Sequence, residues 1–145
     1  MSAEKVIASY LRVAAEDLRG ARLLAQDGNR NAIYLCSQAA EKIIRAVLTS
    51  EDKHGGIGHN LDIMVDMIPD ENPIKSLLRE IESLGDYATT FRYPTVAGRV
   101  KSTPKGEEFE HMAVHVEKVL NEAVARFGVN LESDDKPAGH AQPIR

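Results

Sequence analysis

The chain reads as an all-α protein, an antiparallel up-and-down bundle of four to five helices. Three observations point there. Apolar residues recur at three- and four-residue steps through several long stretches. Aromatic residues make up only 5% of the chain and Trp is absent, so a core must come from Ala, Val, Ile, Leu and Met. Such a core suits close helix packing better than a sheet. Capping and breaking residues separate the stretches, among them Gly28, the glycine-bearing segment 50–60, Pro69 and Pro94. At 145 residues there is room for one domain with a real core, and a second independent core is not expected.

The first helix is predicted over residues 3–27, with Ile7, Tyr10, Leu11, Ala14, Leu18, Ala21 and Ala25 in register. "DGNRN" at 27–31 stops it, Gly28 serving as its C-terminal cap and Asn29 or Asn31 as the next N-cap. The second helix then runs to about residue 49. Within it, "SQAAEKIIRAVL" at 37–48 places Gln38, Glu41, Lys42 and Arg45 on one face. Ile33, Cys36, Ala40, Ile43, Ile44, Val47 and Leu48 cover most of the rest. The narrow polar stripe is either a solvated edge or one wall of a site.

"SEDKHGGIGHN" at 50–60 is a loop. A short third helix follows, with Leu61, Met64, Val65 and Ile68 inward and Pro69 closing it. Pro73 fits the first position of a fourth helix, with Ile74, Leu77, Leu78, Ile81, Leu84 and Ala88 inside, ending before Pro94. Residues 95–106 form a basic connection carrying Arg99, Lys101 and Lys105. The last helix spans about 104–127, with Phe109, Met112, Ala113, Val116, Val119, Leu120, Ala123, Val124 and Phe127 on its stripe. The helical domain is thus expected over 1–128, and residues 129–145 form a polar tail expected to be disordered.

The formal net charge of −4 argues against a globally basic nucleic-acid binder, although a local basic patch is compatible with eighteen Lys and Arg. Cys36 is the single cysteine, so an internal disulfide is excluded; it reads as a small buried hydrophobe. The N-terminus lacks the order of a signal peptide, and no apolar run approaches the ~18 residues of a membrane span. A soluble cytoplasmic protein without membrane association is expected.

Two tempting motifs are not expected to carry chemistry. "HGGIGH" lacks the Lys-Ser/Thr of a Walker loop and follows a helix, so it reads as a helix–helix connection. Glu108, His111 and His115 share a face of the last helix, but the second inward Glu-x-x-His that a carboxylate di-metal centre needs is missing. They read as a solvated face; no metal ion and no cofactor are expected.

Three features remain: the stripe at 38–45, His59 opening "HNLDIMV", and "FRYP" at 91–94, where Arg92 complements a helix C-terminus and can reach a phosphate bidentately. The order "QAAEKIIRAVL … GHNLDIMV … FRYP" over residues 11–94 resembles the HEPN family of nucleotide-binding helical domains. The resemblance implies a four- to five-helix bundle that dimerises and is often encoded beside a small nucleotidyltransferase as a toxin–antitoxin partner. The family's ribonucleases carry Arg-x(4–6)-His, and no arginine here is followed by histidine at that spacing. The resemblance therefore supports fold and binding more than catalysis, and no catalytic residue is assigned.

The leading expectation is a module that binds a nucleotide or an RNA phosphate. Lys42, Arg45 and Arg92 supply charge, Tyr93 stacks or hydrogen-bonds, His59 adds a pH-sensitive group, and Glu41 orients Lys42 or Arg92. Two alternatives stand beside it. One is a protein–protein module that caps a nucleotidyltransferase partner; the other is a ribonuclease with an unorthodox donor such as His59 or His111. A homodimer is expected from the resemblance and from Val6, Val13, Leu24, Ala32 and Leu35, which broaden the apolar surface of the first two helices.

Overall fold

The computed structural model describes residues 2–88 and 93–132. Within them the chain forms α1 (Ala3–Gln26), α2 (Asn31–Ser50), α3 (Leu61–Asp66), α4 (Lys75–Arg79), a 3-10 helix (Glu82–Ala88) and α5 (Gly106–Phe127). No strand occurs among the described residues.

Local chemistry sets the ends of α1. Ser2 accepts a hydrogen bond from the Lys5 amide at 3.4 Å. At the other end Gly28 adopts φ 70°, and the amides of Gly28 and Asn29 return to the carbonyls of Ala25 and Leu24. This is the paired closure that a left-handed residue after a helix permits. The Asn29 side chain then accepts from the Asn31 amide at 2.8 Å, covering a free donor at the start of α2.

The turn at 27–30 reverses the chain, so α1 and α2 lie antiparallel. Gly20 stands against Leu35, Asp17 against Lys42, and Tyr10 beside Arg45 and Thr49. α5 runs back along α1, tied by Arg22 to Glu117 at 2.9 Å and to Glu110 at 3.5 Å. α2 is the central element: Ile33, Ala39, Ala40, Ile43, Ile44, Ala46, Val47 and Leu48 are all almost wholly buried. Each buried Ile or Leu contributes about 1.5–3 kcal/mol relative to exposure, which sets the scale of the core. Cys36 sits in it, and burial pushes its thiol up to about 12, Arg22 opposing the shift in part.

The expected fourth helix is corrected. Residues 73–88 do not form one α-helix but the short α4 and then a 3-10 helix. The apolar spacing explains the change. Leu78, Ile81, Leu84 and Tyr87 recur every third residue, the repeat of a 3-10 helix, and Ile81 and Leu84 each donate to the carbonyl three residues back. Gly85 is required by a close approach: a Cβ there would stand 2.9 Å from the His59 carbonyl oxygen and 3.0 Å from Leu61 Cγ. The last helix begins at Gly106 rather than near Pro104. Packing also continues past Gly128, with Val129 and Leu131 against the core and the Asn130 carbonyl accepting from Arg12 Nε at 3.1 Å. No helix among the described residues is long and apolar enough to cross a membrane.

Candidate functional site

The polar stripe of α2 is not a wet edge. Glu41 is 8% exposed. Its carboxylate accepts from Arg45 Nε at 2.9 Å through one oxygen and meets His59 Nδ1 at 2.8 Å through the other. Arg45 lies one turn further along the same face, so its guanidinium reaches both Glu41 and the loop that follows the helix. Its Nη2 donates to the Gly58 carbonyl at 3.0 Å. Two side chains of α2 therefore hold the segment 54–60 at its far end. Gly55 closes the near end, where a Cβ would stand 2.9 Å from Met64 Sδ and 3.2 Å from Arg45 Nη1.

Lys42 is placed elsewhere. Its ammonium pairs with Asp17 of α1 at 2.6 Å, with both side chains mostly covered. The expectation that Glu41 orients Lys42 is thereby corrected. The two residues are adjacent in sequence and project about 100° apart on a helix, so Lys42 faces α1 while Glu41 faces the loop. Gln38, at the start of the stripe, has its Nε2 buried with no hydrogen-bond partner among the described residues. Arg92 lies outside the described residues, and so does the expected juxtaposition of its guanidinium with the Glu41–Lys42 turn. Tyr93 is 63% exposed.

Two clefts flank the Glu41–Arg45–His59 cluster, and their charges differ. The first, about 200 Å³, is lined by Val6, Tyr10, Arg45, Leu48, Thr49, Asp52, Lys53, His54 and Gly55. Arg45, Lys53 and His54 bring basic groups to it against the single carboxylate of Asp52. Arg45 Nη1 makes no hydrogen bond among the described residues. The fold directs Lys53 and His54 here through the end of α2. Asp52 takes the left-handed conformation, φ 57°, and the Lys53 amide returns to the Leu48 carbonyl at 2.9 Å. Glycine is the usual occupant of that position, so an aspartate there holds a mildly strained turn.

The second cleft, about 230 Å³, is lined by His59, Asn60, Leu61, Asp62, Glu82, Ser83, Gly85 and Asp86. It sets three carboxylates around one imidazole. An anion is disfavoured there by simple Coulomb repulsion. Of the expected site residues, Glu41, Arg45 and His59 are thus brought together on one carboxylate, while Arg45 and His59 border clefts of different charge.

Sequence reading placed Tyr10 on the apolar stripe of the first helix and took the "HGGIGH" loop that begins at His54 as a connection, and it did not single out Thr49 and Lys53. Lys53 and His54 carried a signal, two basic residues beside a glycine loop. That Val6 and Tyr10 face them across a cleft depends on the α1–α2 register. Among the described residues no group of three or more His, Cys, Asp or Glu side chains is assembled to hold a metal ion.

The HEPN domain model matches residues 7–127, which takes in α1 from its second turn, all of α2 to α5, and the lining of both clefts apart from Val6. No curated protein and no solved structure matches the chain.

Proposed function

Because the chain belongs to the HEPN domain family, we propose that it is a nucleotide- or RNA-phosphate-binding module that holds the phosphate without cleaving it. The phosphate sits in the cleft between α1 and the end of α2. The observation that carries this reading is the fixed guanidinium of Arg45, held through Nε and Nη2, with Lys53 and His54 beside it. A pre-oriented guanidinium loses little freedom when its remaining Nη1 donates to a phosphate oxygen. Tyr10 offers a ring on which a base or ribose can rest.

In this reading Glu41 and His59 are positioning groups. They hold the loop, and Lys42 is part of the α1–α2 packing rather than a ligand. The absence of Arg-x(4–6)-His leaves the phosphate without the family's proton donor, which supports binding over cleavage.

Mapping of backbone amide shifts on adding inorganic phosphate, a nucleoside monophosphate and a short single-stranded RNA tests the location. Shifts confined to Tyr10, Thr49 and residues 52–55 are expected. Shifts centred on 82–86, or none, refute the assignment.

The acidic cleft at His59 favours a second reading. Asp62 and Asp86 suit a basic side chain from a protein partner, Glu82 being paired with Arg79 at 2.8 Å. A nucleotidyltransferase partner in a toxin–antitoxin-like pair fits the family, as does a homodimer. Co-purification of the chain with such a partner, lost on Asp86→Lys, tests that reading separately.

A further inference from the structure

His111 and His115 lie one turn apart on the outer face of α5, away from both clefts, and the phosphate reading leaves them unused. Their ring centroids are 4.6 Å apart with the planes at 73°. Residues four apart on a helix have Cβ atoms about 5–6 Å from each other, the span across which two imidazoles chelate one ion on a helix face. The third participant comes from a different element. Glu80, between α4 and the 3-10 helix, places Oε1 3.3 Å from His115 Nδ1.

We infer that His111 and His115 form a two-histidine chelate for a first-row divalent transition ion, with Glu80 as its orienting carboxylate. Imidazole nitrogen suits Zn²⁺, Ni²⁺ and Cu²⁺, whereas Mg²⁺ and Ca²⁺ prefer oxygen. The Glu80 contact puts the proton of neutral His115 on Nδ1 and leaves the lone pair of Nε2 for the ion. This is the carboxylate–histidine–metal arrangement that commonly fixes a ligand's tautomer.

His111 is exposed and His115 is 36% exposed at its side chain, so a turn of the outer ring brings its nitrogen to the same ion without disturbing the core. No third His, Cys, Asp or Glu closes the group among the described residues, so water completes the coordination. The site is open and its binding reversible, unlike the four-ligand cage of a structural zinc. Glu80 supplies negative charge toward the ion.

Calorimetric titration of Zn²⁺ and of Ni²⁺ into the tag-free full chain tests the inference. Wild type is expected to bind one equivalent at this site. His111→Ala and His115→Ala each weaken that binding at least tenfold, and Glu80→Gln weakens it about tenfold, while His54→Ala leaves it unchanged. Paramagnetic Ni²⁺ should broaden the ring signals of His111 and His115 before those of His54 and His59. Far-UV circular dichroism confirms that each variant is folded. If the Glu80–His115 contact is only structural, Glu80→Gln lowers Tm without changing metal affinity, and the orienting role is overturned. Equal uptake by wild type and by the His111→Ala/His115→Ala double variant, or no uptake by wild type at millimolar Zn²⁺, overturns the site.

Discussion

Glu41 and His59 are joined at 2.8 Å across the gap between α2 and the loop before α3, through a carboxylate that also binds Arg45. Removing that carboxylate leaves a mostly covered guanidinium without its partner, a change that costs more than the intact pair contributes. Glu41→Ala is therefore expected to destabilise the fold by about 2–4 kcal/mol. Glu41→Gln, which keeps an acceptor, should cost less than half of that. Urea unfolding monitored by circular dichroism checks both. A smaller loss for Ala than for Gln would mean that the cluster does not hold the loop.

Gly85 gives an independent test of the same region. Its missing Cβ makes room for the His59 carbonyl and for Leu61. Gly85→Ala should destabilise by about 1–3 kcal/mol, the usual cost of overpacking, and should shift the His59 amide resonance. An Ala variant as stable as wild type would place the 3-10 helix further from α3 than described.

The first two helices, the third and the last were legible in the sequence because their apolar repeats are clear and their stops are local, Gly28 and Pro69; the N-cap of α2 is Arg30 rather than the expected Asn29 or Asn31. The split of the fourth helix was not. A three-residue apolar step is compatible with both helix types, and the deciding contact, Gly85 against His59, joins residues far apart in the chain. At the site, the stripe at 38–45 was visible as a face, but which carboxylate meets which cation depends on register. Lys42 meets Asp17 because α1 passes beside it, and Lys53 and His54 acquire a cleft for the same reason. Arg92 falls outside the described residues, so its place remains an expectation of the sequence.

Lys42 and its partner supply a discriminating variant. The Lys42–Asp17 pair, with side chains 25% and 17% exposed, should contribute about 1 kcal/mol to stability. Lys42→Ala should lower the unfolding midpoint yet leave phosphate affinity within twofold of wild type. A large loss of affinity on Lys42→Ala would return that residue to the binding site.

Cys36 sets an alkaline limit. Its folded-state pKa is raised from 9.0 to about 12, chiefly by burial. A raised pKa means the unfolded thiol ionises first, so the contribution is complete below pH 9 and is lost progressively as pH rises toward 12. Stability should fall across that window in wild type and fall less steeply in Cys36→Ala. At pH 8 the folded chain should resist alkylation, whereas the urea-unfolded chain should react.

Asp52 opposes the proposed ligand and strains the turn that presents Lys53. Asparagine tolerates the left-handed conformation and removes the charge. Asp52→Asn should leave stability unchanged or slightly raised and tighten phosphate binding about two- to fivefold, the range of a single exposed charge. Equilibrium titration with a nucleoside monophosphate measures this, and weaker binding by the variant would refute the assigned role of Asp52.

The most direct test of the account is the affinity of a short single-stranded RNA and of a nucleotide for wild type and Lys53→Glu at low and physiological salt. Lys53 is exposed and makes no core contact, so its reversal probes the cleft rather than the fold. Measurable wild-type binding that weakens with salt, and at least a tenfold loss in Lys53→Glu, is the predicted result. Equal affinity in the two proteins, or no binding by wild type, would contradict it.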